Sequence, residues 1–225
     1  MNINNNLIEL RKRHGYTQQE VADKLSITRQ TYKKFESDES QPTTKQLSIL
    51  ADFYGVPIEE FFYGVQNIDK FKQMYLYILS ISGKKGIQKT KLAKLLYFAD
   101  FRHFYENLES MSGVLYKCKD YGPLADPFLE LTDDMQINGE IKIDCLSGGA
   151  NMITLTSFNN DFSLLSKKEK NEIEEIYNMW ADRNVEEIVN YTHCQKPWMA
   201  CRENEIIPYS LILQEDPDHV YTPIA

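Results

Sequence analysis

Apolar residues recur at helical spacing along the first part of the chain, and the pattern predicts five short helices within residues 1–66. The second predicted helix begins at Thr17-Gln18-Gln19-Glu20, a capping box in which the threonine hydroxyl and the glutamate carboxylate each accept a backbone N–H. A short connection, Ser26-Ile27, leads to Thr28, the predicted N-cap of a third helix. Two short helices joined by a tight turn inside such a cluster are typical of a helix-turn-helix domain.

The rest of the chain follows a different pattern. Apolar positions cover most of the circumference of segment 89–108, which predicts a central, buried helix. Two alternating stretches, 140–146 and 151–156, flank a Gly-Gly turn and predict a β-hairpin. A second capping box at Ser166 starts a helix that runs to about Trp180. The other predicted elements are a helix over 68–82, a strand over 114–119, a helix from the Tyr121-Gly122-Pro123 turn to about Gln136, and a helix over 185–191.

These elements predict a mainly α fold with two domains. The first is an N-terminal five-helix helix-turn-helix bundle, residues 1–66, and Pro57 fits the first position of its last helix. The second is a C-terminal, largely helical domain with a small antiparallel β element, residues 68–204. The sequence of the C-terminal tail, 205–225, is aperiodic and rich in proline and acidic residues, which predicts a segment that lies on the surface or is mobile.

The charge distribution also separates the two domains. The whole chain has a net charge of -8, but residues 1–66 hold eight Lys and Arg against nine Asp and Glu, whereas the rest holds seventeen against twenty-four. A nearly neutral domain with one basic face can bind DNA, and an acidic domain is poorly suited to it. The basic residues that precede most of the acids in the first domain are Arg11, Lys12, Arg13, Lys24, Arg29, Lys33 and Lys34.

The sequence gives no sign of a membrane or exported protein. Its longest apolar runs, such as residues 95–99, are far too short to span a bilayer. Residues 1–7 are polar and lack the layout of a signal peptide. None of the four cysteines belongs to a CxxC pair. We therefore expect a cytoplasmic protein with free cysteines and no membrane partner.

The first domain resembles the lambda-repressor/Cro-like (Xre-type) helix-turn-helix family over nearly its whole length, in the run TQQEVADKLSITRQTYKKFESDESQPTTKQLSILADFYGVPIEEFF. Gln18, the Ile27-Thr28-Arg29 junction and the Phe35-Glu36 pair stand where that family has them. The sequence departs from the family at Ser26, where a glycine is usual in the turn. Serine adopts the required backbone conformation only at some cost.

The resemblance implies a recognition helix that begins near Thr28 and enters the major groove of DNA. Arginine and glutamine each offer paired hydrogen bonds across a base edge, whereas Gln18 and Thr28 are better placed for phosphate contacts. The alternative for the same residues is an ordinary solvated helix face. The candidate DNA-binding residues are Gln18, Thr28, Arg29, Gln30, Thr31, Lys33 and Lys34.

The second domain resembles the Panacea domain over residues 70–200. The resemblance rests on the order of KLAKLLYFADFRHF, a strand, YGPLADPFLEL, a capped helix and THCQKPW. This family is known from toxin–antitoxin pairs and phage-related genes, and the resemblance implies an antitoxin that neutralises a cognate toxin by direct binding. The candidate toxin-binding residues, which are equally natural as core and turn residues, are Asp100, Arg102, His103, Tyr121, His193 and Trp198.

Signatures of an enzyme are missing from the sequence, which has no GxSxG, HExxH, P-loop or dinucleotide fingerprint. His193, Cys194 and Cys201 offer three potential metal ligands, but their spacing fits no common zinc pattern. We therefore expect no catalytic residues, no metal and no cofactor.

The favoured hypothesis is an antitoxin whose C-terminal domain binds its toxin and whose N-terminal domain represses the shared operon. Helix-turn-helix domains of this type usually act as dimers on two half-sites, so we expect a homodimer on operator DNA. One alternative is a phage-type transcriptional regulator whose second domain serves dimerisation or ligand sensing. Another is an antitoxin that acts as an adaptor and delivers the toxin to a protease.

Overall fold

A computed structural model of the chain describes residues 3–56, 58, 60–63, 66–146, 148–157 and 160–221. The fold is largely helical with a small antiparallel sheet, which confirms the predicted fold class. The chain divides into two compact units, Met1–Gln66 and Asn67–Ala225, called unit 1 and unit 2 below. None of the helices in the described ranges combines the length and the apolarity that a membrane crossing requires.

Unit 1 is a bundle of short helices around one apolar core. Leu7, Leu50 and Phe61 are fully buried in it. Burial of side chains of this size stabilises a fold by about 1.5–3 kcal/mol each. The helices of unit 1 are α1 (Ile3–Arg13), α2 (Gln18–Lys24), α3 (Arg29–Glu36), α4 (Thr44–Tyr54) and α5 (Glu60–Tyr63).

Local capping determines where α2 and α3 begin. The Thr17 hydroxyl accepts the backbone N–H of Glu20, and the Glu20 carboxylate accepts that of Thr17, which confirms the predicted capping box. Thr28 is the N-cap of α3, as predicted. In the turn between the helices Ser26 has a φ of 54°, a left-handed conformation that favours glycine. Pro57, the predicted first residue of the last helix, lies outside the described residues.

Unit 2 is built around the helix predicted from the apolar segment 89–108. That helix is buried around most of its circumference and packs against the helices over residues 68–82, 167–180 and 185–194. Leu92, Leu96 and Phe101 lie in its core contacts. The helices of unit 2 are α6 (Ile68–Ser82), α7 (Lys89–Asn107), α8 (Phe128–Ile137), α9 (Lys167–Trp180), α10 (Val185–Cys194), α11 (Lys196–Met199) and α12 (Pro217–Tyr221).

Two small antiparallel sheets complete unit 2. The predicted hairpin is confirmed and extended to a sheet in which Ile153 pairs with Ile143 on one side and with Ile87 on the other. The strand predicted over 114–119 is shorter, with two residues that pair with a second short strand. The strands are β1 (Ile87–Gln88), β2 (Tyr116–Lys117), β3 (Leu124–Ala125), β4 (Ile141–Cys145) and β5 (Asn151–Leu155).

The C-terminal segment differs from the sequence-based expectation of a surface or mobile tail. A 3-10 turn spans Tyr209–Gln214, and both Tyr209 and Ile212 are buried in unit 2. The Tyr209 hydroxyl donates to the backbone carbonyl of Val114 at 2.8 Å, across 95 positions of sequence. A partner so distant in sequence leaves no local periodicity, which is why the segment looks irregular when only the sequence is considered.

Candidate nucleic-acid interface and partner surface

One side of α3 is buried and the other is exposed, as a helix that reads DNA requires. Tyr32 and Phe35 anchor the helix in the core of unit 1. Thr31 is half-buried. The other candidates on this helix have exposed side chains: Arg29, Gln30, Lys33 and Lys34.

A buried ion pair holds α3 against α1. Nε of Arg11 lies 2.6 Å from Oε1 of Glu36, and Nη2 donates to Oε2 at 3.1 Å. Gln18, the first residue of α2, donates to the same Oε2 at 2.8 Å. Arg29 in turn donates to the carbonyl oxygen of the Gln18 side chain at 3.4 Å. These contacts form a polar chain, Arg11–Glu36–Gln18–Arg29, that connects the interior of unit 1 to one exposed arginine.

The ion pair keeps Glu36 in its charged form. Burial alone raises the pKa of Glu36, but the hydrogen bonds from Arg11 and Gln18 outweigh it and the pKa is lowered overall. The same hydrogen bond raises the pKa of Arg11. In the sequence, Arg11 stands among the basic residues and Glu36 in the family pattern, and neither predicts the other as its partner. They are 25 positions apart, and no local pattern connects them.

Gln18 and Thr28, the two candidates for phosphate contact, both make hydrogen bonds within unit 1. The Gln18 carboxamide lies between Glu36 and Arg29. The Thr28 hydroxyl accepts the Thr31 N–H at 3.1 Å and lies 2.9 Å from the Thr31 hydroxyl. In this structure both residues position α3 and its first arginine.

In unit 2 the six candidates for toxin contact occupy three different settings, and Asp100 is in the core. Its side chain is 0% exposed. It accepts the Ser112 N–H at 2.7 Å, the Ser112 hydroxyl at 2.5 Å and the Tyr116 hydroxyl at 2.8 Å. Burial raises the pKa of Asp100, and these hydrogen bonds act against the rise. Asp100 therefore ties α7 to the segment that leads into β2.

Arg102 and His103 lie on the side of α7 that faces acidic residues of α9. Arg102 is paired with Glu106 at 3.2 Å and with Glu175 at 2.5 Å. Nδ1 of His103 lies 2.6 Å from a carboxylate oxygen of Glu172. Among the described residues, no group of three His, Cys, Asp or Glu side chains is placed to hold a metal ion.

Tyr121, His193 and Trp198 surround the turn that connects β2 to β3, and we call them the turn surface. The Tyr121 side chain is 73% exposed. The rings of His193 and Trp198 are stacked with centroids 4.1 Å apart, and the Trp198 indole donates to the Lys119 carbonyl at 3.1 Å. Within the turn Gly122 has a φ of +87°, and a Cβ there would lie 2.3 Å from the Thr192 hydroxyl oxygen, so only glycine fits.

Lys94 is a further polar residue at this turn, and it is not among the candidate residues predicted from the sequence. Its side chain is 2% exposed, and its Nζ donates to the Pro123 carbonyl at 2.7 Å. Burial lowers the pKa of Lys94 to about 7. The available signal is a lysine on a helix that is apolar around most of its circumference.

Known proteins with similar sequences are helix-turn-helix regulators. The SPbeta prophage-derived uncharacterized HTH-type transcriptional regulator YonR of Bacillus subtilis is 33% identical over 45% of this chain and 95% of its own length. The HTH-type transcriptional regulator ImmR of the same species is 30% identical over 47% of this chain and 81% of its own. The chain belongs to the helix-turn-helix transcriptional regulators. The HTH-type transcriptional activator BcrR of Enterococcus faecalis is 29% identical over 36% of this chain, which spans 44% of that protein.

Two family models match this regulator, one within each of the two units. Residues 7–61 match the Helix-turn-helix family, and residues 92–199 match the family described as Antitoxin SocA-like, Panacea domain. Both resemblances stated from the sequence are therefore confirmed. No solved structure matches the chain. The protein is a DNA-binding regulator that carries a Panacea domain.

Proposed function

We propose that the chain is the antitoxin of a toxin–antitoxin pair, with neutralisation in unit 2 and operon repression in unit 1. The observation that carries the proposal is the match of residues 92–199 to the SocA-like antitoxin domain, behind a helix-turn-helix unit with a core of its own. Two separate cores favour a division of labour, because each unit can keep its binding surface independently of the other.

For operator DNA, the proposal assigns base contacts to the exposed residues of α3. The position of Arg29 is the best defined, since its guanidinium donates a hydrogen bond to the Gln18 side chain. Arg29→Ala should weaken operator binding by roughly 1–3 kcal/mol and relax sequence preference at one base pair. A gel-shift titration measures both effects, and unchanged binding removes Arg29 from the contact set. The remaining proposed contacts are Gln18, Thr28, Gln30, Thr31, Lys33 and Lys34, in a homodimer on two half-sites.

For the toxin, the proposal assigns the turn surface as the main contact. Tyr121 is exposed on a turn that Gly122 and the Trp198–Lys119 hydrogen bond hold in place, and large aromatic residues are frequent interface hot spots. Asp100 acts as a positioning residue because it is fully buried. The guanidinium of Arg102 is already paired, so it contributes at the edge of the surface.

The test is co-expression with the small gene adjacent to the gene for this chain. The neighbour should arrest growth by itself, and the full-length chain should restore growth. Arg29→Ala should retain neutralisation and lose repression of an operon reporter. A neighbour that is harmless on its own refutes the antitoxin function.

Tyr121→Ala tests the contact surface separately. We expect it to weaken toxin binding by about 2 kcal/mol, the size of a hot-spot truncation. Ile137→Ala is the matched control, since Ile137 is 82% exposed at the far end of α8. Equal loss in the two variants would place the toxin elsewhere on unit 2.

A second candidate function is a phage-type regulator whose unit 2 senses a small ligand. The similarity to a prophage-derived regulator favours it, as does a cavity beside the turn surface. The same co-expression experiment separates the two functions, because a regulator of this kind has no toxic neighbour to neutralise.

A further inference from the structure

A cavity of about 220 Å³ opens between the first turns of α7, the β2–β3 turn and the start of α8. Leu124, Phe128 and Leu129 give it an apolar lining on the side of β3 and α8. Its volume equals the liquid share of roughly seven water molecules, which is enough for one small ring with a short substituent. The cavity has the apolar lining of a small-molecule site, but it is smaller than the roughly 300–1,000 Å³ of a drug-sized pocket, so it suits only a small ligand.

The cationic groups of the cavity are lysines. Lys89, Lys94 and Lys119 all line it. Lys94 is the buried one, and an ammonium group carries three N–H donors. The hydrogen bond that the structure gives to Lys94 goes to the neutral carbonyl of Pro123. Within the described residues, no carboxylate is among the groups that shift its pKa. Buried charges are normally paired, so an anionic partner is missing from this position.

His193, on the neighbouring helix α10, is a second polar residue close to Lys94. Its Nε2 atom is buried and has no hydrogen-bond partner within the described residues. Burial lowers the pKa of His193, and the nearby Lys94 lowers it further. The lowered pKa keeps the His193 imidazole neutral at pH 7, so Lys94 is the group at this position that a carboxylate would stabilise in its charged form.

We infer that this cavity binds an organic carboxylate with an aromatic or branched aliphatic body, whose carboxylate accepts hydrogen bonds from Nζ of Lys94. The body fills the space beside Phe128 and Leu129, and half-buried Lys119, whose Nζ donates to Asn204, adds a second positive charge at the mouth. One buried cation and an apolar lining suit a monocarboxylate better than a phosphate, which carries more charge and requires more donors.

The same chemistry has two sources, a free small acid and the C-terminal residue of a polypeptide. The site shares Tyr121 with the proposed toxin surface. It does not depend on the antitoxin function, because the purified chain alone can be titrated. Failure of the titration and failure of toxin neutralisation are therefore separate results.

The experiment is calorimetric titration of the full chain with phenylacetate and 4-methylpentanoate, and with the matching amides. We expect each acid to bind at least about tenfold more tightly than its amide. Lys94→Met should lower the affinity for the acids at least about tenfold, whereas Lys84→Met, an exposed lysine outside the cavity, should change it less than twofold. Equal affinities for acids and amides, or no saturable binding of either acid at millimolar concentration, would overturn the inference.

A second variant protects the test against misfolding of Lys94→Met. Leu129 is 49% exposed at the cavity, so Leu129→Trp should be accommodated and should fill the space. We expect it to abolish acid binding with the melting temperature nearly unchanged, and retained binding in a folded Leu129→Trp contradicts the site. A peptide that ends in phenylalanine, with a free or an amidated C-terminus, distinguishes the sources. Tighter binding of the free peptide than of phenylacetate assigns the site to a chain terminus, and weaker binding assigns it to a free acid.

Discussion

Two polar sites, one in each unit, treat buried charge in opposite ways. In unit 1, Glu36 lies against Arg11 and the polar chain continues to an exposed arginine. In unit 2, Lys94 and Asp100 are also buried, but their hydrogen-bond partners are neutral: a carbonyl for the lysine, and an amide and two hydroxyls for the aspartate. A buried ion needs compensation by an opposite charge or by several dipoles. Glu36 has an opposite charge, whereas Asp100 has three neutral donors.

The difference separates two uses of a buried ion. The paired charge in unit 1 determines geometry, because Glu36 holds the Gln18 side chain next to Arg29 at the start of α3. The aspartate in unit 2 also determines geometry, through three donors. Within the part of the chain that the structure describes, Lys94 has a single neutral acceptor, and it adjoins a cavity. Of these buried groups, Lys94 is therefore the one whose charged form a bound anion would stabilise most.

The largest effect should come from removing the aspartate. Asp100→Ala leaves the Ser112 amide and hydroxyl without partners in the core, and we expect a loss of about 4 kcal/mol in the free energy of unfolding of unit 2. Both tryptophans lie in unit 2, so urea unfolding followed by tryptophan fluorescence reports that unit alone. Exposed Asp133→Ala is the control and should change stability by less than about 0.5 kcal/mol. A loss below 1 kcal/mol for Asp100→Ala would contradict its structural role.

Breaking the ion pair of unit 1 should have the next largest effect. Arg11→Met leaves Glu36 buried with only Gln18, and we expect a loss of about 3 kcal/mol in the stability of unit 1. Hydrogen exchange of α1 and α3 amides measures the loss. The tryptophan-detected unfolding of unit 2 serves as the internal control. The double variant Arg11→Met, Glu36→Leu should recover part of the stability, and no recovery would show that the pairing is not the cause.

The buried lysine gives a dependence on pH. Its pKa is about 7 in the folded chain against an ordinary value of 10.5, so the unfolded chain binds more protons between these values. The contribution of Lys94 to stability is therefore most unfavourable below pH 7, and stability rises with pH across this window by about 1 kcal/mol per pH unit. Lys94→Met should remove that slope.

The comparison of slopes isolates Lys94 from its neighbours. His193 and Cys118 face it from α10 and from the end of β2, and both remain in the variant. Lys94→Met also relieves the effect of Lys94 on His193, but the pKa of His193 is lowered from 6.5 and so lies below the window from pH 7 to pH 9. The difference between the urea-unfolding curves at pH 7 and pH 9 therefore reports mainly the lysine. Equal slopes would mean that Lys94 is not desolvated.

The smallest effect concerns the turn before α3. Ser26 has a left-handed backbone, so Ser26→Gly should stabilise unit 1 by about 0.5–1 kcal/mol, with DNA affinity unchanged. Ser48→Gly is the matched control inside α4, where glycine should destabilise by about 0.5 kcal/mol. Hydrogen exchange of α2 amides shows whether each variant stabilises or destabilises unit 1. A loss of stability in Ser26→Gly would contradict the turn geometry.

The regular elements could be predicted because their signals are local. The capping boxes at Thr17 and Ser166, the apolar circumference of α7 and the Gly-Gly turn between β4 and β5 all lie within a few residues of what they determine. In the helix-turn-helix unit, local caps of this kind begin α2, α3 and α4, so the exposed side of α3 could be predicted residue by residue. In unit 2 the sequence pattern indicated candidate residues, but it did not show which of them lie in the core, in an ion pair or at a turn.

By itself, the sequence determined the helices up to α10, the hairpin, the left-handed strain at Ser26 and the helix-turn-helix character of unit 1. Only the tertiary structure decided that Arg11 pairs with Glu36, that Asp100 is enclosed, that Tyr209 packs into unit 2 and that Lys94 faces a carbonyl at a cavity. The physical reason is range. Backbone propensity and amphipathic periodicity act over one or two turns, whereas burial and charge pairing depend on segments that are 12 to 95 positions apart.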